Sequence, residues 1–268
     1  MASATQRGAV VLVGCGRLGS AMVEGWLKAG AIDPRDLIIL TPSDKPAADA
    51  ARAKGARINP SLDVLTEARA LVLAVKPALW RAALAPLVGH LRPAAVLVSV
   101  MAGVRSSDIA AAAGRPVARV MPTTAVAQGA GVAALWSDDD RAREAARDLF
   151  AAMADIVDLD DESRMDAATA VAGSAPAFIY AFVEALARAG EAEGLSEQAA
   201  ARLARGALRS AGAGAGTKAD MAELIARIAS PGGTTRAGLD AMTENGGLDR
   251  AVEAAVKAAV ERARALSA

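Results

Sequence analysis

The sequence predicts an α/β fold: a doubly wound parallel sheet in the N-terminal part, then a domain made of helices alone. Short β-branched runs alternate with Ala-rich stretches up to about residue 160. The runs are continuously apolar rather than alternating, as in strands of a sheet covered on both faces. Beyond Asp160 no convincing strand appears. Strand–helix alternation is the pattern of a parallel, doubly wound sheet.

The predicted strands are Ala9–Val13, Leu37–Leu40, Leu71–Val75, Val96–Val100, Val117–Val120, Val132–Leu135 and Ile156–Leu159. Helical periodicity then covers Met165–Ala189, Glu197–Ala211, Lys218–Ala229, Thr235–Met242 and Leu248–Leu266. Ser196 and Thr217 are expected N-caps. Gly190 and Gly194 punctuate the first two of these helices, and Gly246–Gly247 precedes the last. Pro176, inside the first, is expected to kink it. The division is therefore residues 1–160 for a dinucleotide-binding domain and 161–268 for a helical domain.

The chain has 268 residues, enough for two domains, with 30 basic and 30 acidic side chains. Zero net charge and the lack of a basic stripe argue against nucleic acid or an anionic membrane as partner. Cys15 is the only cysteine, which excludes an intrachain disulfide and a cysteine-rich metal site and fits a reducing cytoplasm. No metal is expected. The polar lead MASATQRG does not read as a signal peptide, and no uninterrupted apolar stretch reaches ~20 residues, so no membrane span is expected.

Gly14-Cys15-Gly16-Arg17-Leu18-Gly19 is G-x-G-x-x-G between a predicted strand and a predicted helix, the context that makes the motif informative. Gly14 allows the tight turn, Gly16 a close approach of a pyrophosphate, and Gly19 close packing of helix on sheet. The sheet is thus expected to be of Rossmann type, with phosphates at the helix N-terminus. At the end of the second strand no acid stands at the tip. Thr41 and Ser43 offer hydroxyl donors and Lys45 a charge for a 2′-phosphate, which favours NADPH, with NADH as the alternative. Asp44 weighs the other way, and Lys45 also reads as a solvated loop lysine.

Carbonyl reduction normally needs a proton donor beside the new alkoxide. His90 is the only histidine and sits in a surface-like turn; Tyr180 is followed four residues on by Glu184, not lysine. No lysine lies between Lys76 and Lys218. An iminium arrives already protonated, so these gaps favour a C=N substrate, with proximity and orientation as the main source of catalysis.

Several segments together carry a resemblance. They are Gly14–Gly19, Ala74-Val75-Lys76-Pro77, Ser99-Val100-Met101-Ala102-Gly103, Arg119-Val120-Met121-Pro122, Gly173-Ser174-Ala175-Pro176-Ala177 and Ser230-Pro231-Gly232-Gly233-Thr234-Thr235. In that order the chain resembles pyrroline-5-carboxylate reductase over nearly its whole length. The resemblance implies NAD(P)H-dependent reduction of 1-pyrroline-5-carboxylate to proline. It also implies a helical dimerisation domain, and a homodimer or a decamer of five dimers. It implies that Ala74, Val75, Lys76, Pro77, Met101 and Ala102 line the cofactor, and that Thr235 hydrogen-bonds the ring nitrogen. Gly232, Gly233, Thr234 and Thr235 read as a carboxylate site at a helix start, or simply as a turn and N-cap. Glu162 resembles by position a glutamate near the product amine, though an acid at a helix start is equally ordinary. The chain departs from the family pattern at Thr123, Ala175, Phe178, Asp220, Met221 and Ile225, which leaves a related cyclic imine as an alternative substrate.

Overall fold

The computed structural model describes residues 8–217 and 219–265. Residues 1–7 of the polar lead, Lys218 and Leu266 lie outside the described residues. Contacts divide the chain into two compact units. The first runs to Gly173 and takes in the residues from Ala259 onward; the second is Ser174–Ala258.

In the first unit the strands are β1 (Ala9–Val13), β2 (Leu37–Leu40), β3 (Arg57–Ile58), β4 (Ala68–Leu73), β5 (Val96–Ser99), β6 (Val117–Pro122), β7 (Gly131–Trp136) and β8 (Ala154–Asp158). They form one eight-stranded sheet in the order β3-β2-β1-β4-β5-β6-β7-β8. The helices between them are α1 (Arg17–Ala29), α2 (Pro46–Arg52), α3 (Trp80–Leu84), α4 (Ser106–Ala113) and α5 (Asp140–Phe150), with α6 (Met165–Ala168) following β8. The central strands are buried on both faces, which is why they read as unbroken apolar runs.

Each face carries its own core. Leu12, Met22, Trp26, Ile39 and Phe150 belong to one, and Val11, Leu71, Leu73, Trp80, Leu84 and Leu97 to the other. The Trp26 indole donates to the Leu149 carbonyl at 2.7 Å and its ring meets Phe150 edge-on. That bond satisfies the one polar atom the buried indole carries.

The sheet is not wholly parallel. β7 runs antiparallel to β6, and β8 runs parallel to β7. Residues 123–130 connect β6 to β7 and are too short for a crossover, so the chain turns back on itself. The two-residue β3 has no apolar run to announce it. The segment from Glu162 to Gly173 also stays with the sheet: Met165 packs with Met121 and Ala134. By contacts the first unit therefore extends to Gly173.

In the second unit the helices are α7 (Ala175–Ala192), α8 (Glu197–Ala215), α9 (Met221–Ala226) and α10 (Thr234–Thr243). The helix α11 (Gly247–Ala265) spans the end of this unit and the last described residues of the first. Met165–Ala189 lies within one helical stretch, but a π-helical turn at Thr169–Ser174 interrupts its α-helical bonding just before Pro176. Ser196 caps α8 by accepting from the Ala199 N–H. The cap of α9 is Asp220, which accepts from the Glu223 N–H at 2.7 Å, rather than Thr217. The helix predicted to Ala211 extends to Ala215, where Gly216 ends it.

The helical stretch Glu162–Ala192 is, among the described residues, the one long and apolar enough to cross a membrane, with mean hydropathy 1.5 and only 6% of its apolar window buried. A criterion of unbroken apolar runs passed over it because isolated charges interrupt the run. On α7, Phe178, Ile179, Tyr180, Phe182 and Leu186 are exposed within the single chain.

Candidate functional site

The glycine turn has the geometry its spacing requires. Gly14 has φ +95°, and a Cβ there would lie 2.5 Å from the Ala74 carbonyl oxygen. A Cβ on Gly19 would collide with the Gly14 carbonyl oxygen. A Cβ on Gly16 would meet nothing within 4 Å. Two glycines are therefore needed by the protein itself. The third opens a space beside the N-terminus of α1, where no side chain caps the helix. A group approaching there meets uncapped backbone N–H groups and the positive end of the helix dipole. Cys15 and Leu18 pack into the core beneath, so they offer the turn backbone only, while Arg17 is exposed. Burial pushes the Cys15 thiol up, and the hydrogen bond it shares with the Ser20 hydroxyl opposes this.

At the end of β2 the structure adds a residue to the loop. The Thr41 hydroxyl is buried and donates to the Ser43 carbonyl at 3.1 Å. Ser43 is exposed and Lys45 half-buried at the start of α2. Asn59, at φ +47°, holds the loop from below: its side chain accepts the Thr41 N–H at 2.9 Å and donates to the Thr41 carbonyl at 2.8 Å. The sequence signal for Asn59 was its type, since asparagine tolerates the left-handed region.

Ala74–Pro77 follows β4, whose end lies beside the turn: the Ala74 N–H donates to the Val13 carbonyl at 2.8 Å. Lys76 is exposed. Met101 is buried beside the half-buried Ala102 after β5, and the Met101 N–H points to the Ser99 hydroxyl at 3.4 Å. These segments share with Gly14–Gly19 the carboxyl edge of the parallel strands, where ligands of such sheets lie.

Glu162 is committed within the first unit. One carboxylate oxygen accepts the Ser106 N–H at 2.7 Å and an Arg119 Nη1–H at 3.0 Å; the other accepts the Ser106 hydroxyl at 2.8 Å. The Arg119 side chain is 4% exposed and that of Glu162 19%. The carboxylate balances a buried guanidinium and accepts a backbone N–H at the start of α4; neither Arg119 nor Ser106 was singled out as its partner.

The loop Ser230–Thr235 belongs to the second unit. Gly232 has φ +70°, and a Cβ on Gly233 would lie 2.6 Å from the Ser230 hydroxyl. Gly233 is the N-cap of α10 and offers no side-chain acceptor, so the first N–H groups of α10 lack a side-chain cap. Thr234 and Thr235 are exposed at that end.

Residues 162–266 match the family model described as pyrroline-5-carboxylate reductase dimerisation. Residues 9–103 match the model described as NADP oxidoreductase, coenzyme F420-dependent. The chain is 34% identical to the pyrroline-5-carboxylate reductase of Mycobacterium tuberculosis, with 96% of each covered. A pyrroline-5-carboxylate reductase structure from Coxiella burnetii aligns with a TM-score of 0.87 at 26% identity, covering 98% of this chain and 100% of that one. The Plasmodium falciparum pyrroline carboxylate reductase with NADP bound aligns with a TM-score of 0.81 at 26% identity, covering 97% and 98%. From the glycine turn to the last helix, this chain belongs to the pyrroline-5-carboxylate reductase family.

Proposed function

We propose that the protein reduces 1-pyrroline-5-carboxylate to L-proline with NADPH, the last step of proline synthesis. The observation that carries the reading is the match to a reductase of that activity across 96% of both chains. The empty space over Gly16 supports a dinucleotide, and the Plasmodium relative holds NADP. When bound, NADPH supplies the hydride that reduces the C=N carbon.

The residues of the chain do the rest. Gly14–Gly19 and the N-terminus of α1 hold the pyrophosphate. Ser43 and Lys45 meet the 2′-phosphate, on a loop fixed by Asn59. Ala74–Pro77 and Met101–Ala102 line the nicotinamide end. The uncapped start of α10, with Gly232, Gly233 and Thr234, takes the substrate carboxylate. The Thr235 hydroxyl hydrogen-bonds the ring nitrogen, orienting the imine so that proximity lowers the barrier. The assembly is a homodimer, five of which make a decamer. Its support is the dimerisation model over residues 162–266 together with the exposed apolar side chains of α7. The cytoplasm is the compartment that a lone buried cysteine fits.

Incubating the protein with NADPH and 1-pyrroline-5-carboxylate, and following loss of absorbance by the reduced cofactor, tests the activity. No oxidation across a range of pH and protein concentration overturns it. The departures at Thr123, Ala175, Asp220, Met221 and Ile225 favour a second reading, a related cyclic imine as substrate. Faster turnover on a six-membered imine carboxylate would select it.

A further inference from the structure

We infer that Glu162 is a positioning residue for the Met101–Gly103 turn, acting through Ser106 and Arg119. The inference rests on the reading that this turn lines the nicotinamide end.

The turn leaves β5 at Ser99 and reaches α4 at Ser106, with Gly103 at φ +77° between them. It is held at both ends. Upstream, the Val100 N–H donates to the Leu73 carbonyl at 3.1 Å and the Met101 N–H points at the Ser99 hydroxyl. Downstream, the backbone N–H and the hydroxyl of Ser106 both donate to Glu162. The same carboxylate accepts from Arg119, which stands two residues before Met121 in the neighbouring strand β6. One carboxylate therefore joins the helix after β5 to the body of β6. Arg119 is buried, and its Nε and Nη2 have no partner among the described residues. Glu162 is thus the anion that its buried charge relies on. Hydrogen bonds to ionised groups are the stronger kind, and shielding from water strengthens them further. The turn so held presents Met101 and Ala102 in one conformation.

Removing Glu162 alone leaves a buried, uncompensated arginine, which destabilises the whole fold. Ser106→Ala is the gentler variant, since it keeps the Arg119–Glu162 pair and the Ser106 N–H bond. Amide hydrogen exchange on the protein without cofactor reads the turn directly. Loss of one charge-assisted bond is expected to raise exchange at residues 100–106 by roughly tenfold in Ser106→Ala, and by more in Glu162→Gln. Exchange in β1 and α1 is expected to stay within twofold for Ser106→Ala. In turnover, Ser106→Ala is expected to lower kcat several-fold while the Kd for NADPH stays within twofold.

Unchanged exchange at residues 100–106 in both variants, with only a lower Tm, overturns the inference and leaves the network a stability element. Raised exchange in a protein whose wild type reduces no cyclic imine leaves the positioning role standing and removes the substrate reading instead.

Discussion

The side-chain amide of Asn59 forms a closed pair of hydrogen bonds with the backbone of Thr41, accepting its N–H at 2.9 Å and donating to its carbonyl at 2.8 Å. Asn59 holds this geometry at φ +47°, where glycine is also at ease. Asn59→Gly therefore keeps the backbone and removes the clamp. Two hydrogen bonds at about 1 kcal/mol each correspond to a Kd for NADPH raised at most roughly thirtyfold. A fluorescence titration of the reduced cofactor measures it; an unchanged Kd would separate this loop from the cofactor.

Gly16→Ala and Gly19→Ala are expected to fail in different ways. The added methyl at residue 16 meets open space, so Tm stays within a degree or two while NADPH binding is lost. The methyl at residue 19 collides with backbone, and overpacking of this kind costs about 1–3 kcal/mol, a fall of several degrees in Tm. Scanning calorimetry with parallel binding measurements separates the two.

Lys45→Ala is expected to raise KM for NADPH by roughly tenfold, the worth of one charge-assisted hydrogen bond, and to leave KM for NADH within twofold. High salt should erase much of the difference. Equal effects on both cofactors would place Lys45 away from the 2′-phosphate.

Thr235→Ala is expected to lower kcat by roughly tenfold to a hundredfold through loss of the bond that orients the ring nitrogen. The Kd for NADPH should stay within twofold. A collapse of cofactor affinity with unchanged turnover would assign the loop to the dinucleotide instead.

Cys15 is buried, and burial pushes its thiol above the usual range. The folded thiol thus holds its proton more tightly than the unfolded one. Its contribution to stability is full below the unfolded thiol pKa of about 8.5 and is lost as pH rises through the higher folded value. Cys15→Ala should accordingly show a shallower fall of Tm above that pH. In the native protein iodoacetamide should react at least about tenfold more slowly than in the unfolded chain.

How much of this was legible beforehand depends on range. Ala9–Val13 and Leu37–Leu40 match residue for residue, because local sequence contains both their cause and their punctuation. The roles of Gly14 and Gly19 follow from a spacing whose geometry is itself local. The reversed direction of β7 left no mark in its apolar residues, since a run buried on both faces carries no polarity. The shortness of residues 123–130 was the available signal. Arg119 and Ser106 were out of reach, because Glu162 meets them across 43 and 56 residues of sequence. The bond from the Thr41 hydroxyl to the Ser43 carbonyl was out of reach as well, because composition gives a hydroxyl's presence and not where its proton goes.

The turn-back between β6 and β7 also bears on how the chain finds its fold. Every other strand pair adjacent in both sequence and sheet is bridged by helix, and β1 meets β4 only after β2 and β3 have been passed. Long bridges cost loop-closure entropy before their contacts form, so distant pairing is slow. The hairpin closed by Gly129, at φ +76°, carries the least such cost in the sheet. Strand pairing can begin at this edge, and its connection then offers α1, the helix that the glycine turn opens, a surface to pack against: Lys28 donates to the Gln128 carbonyl at 3.2 Å.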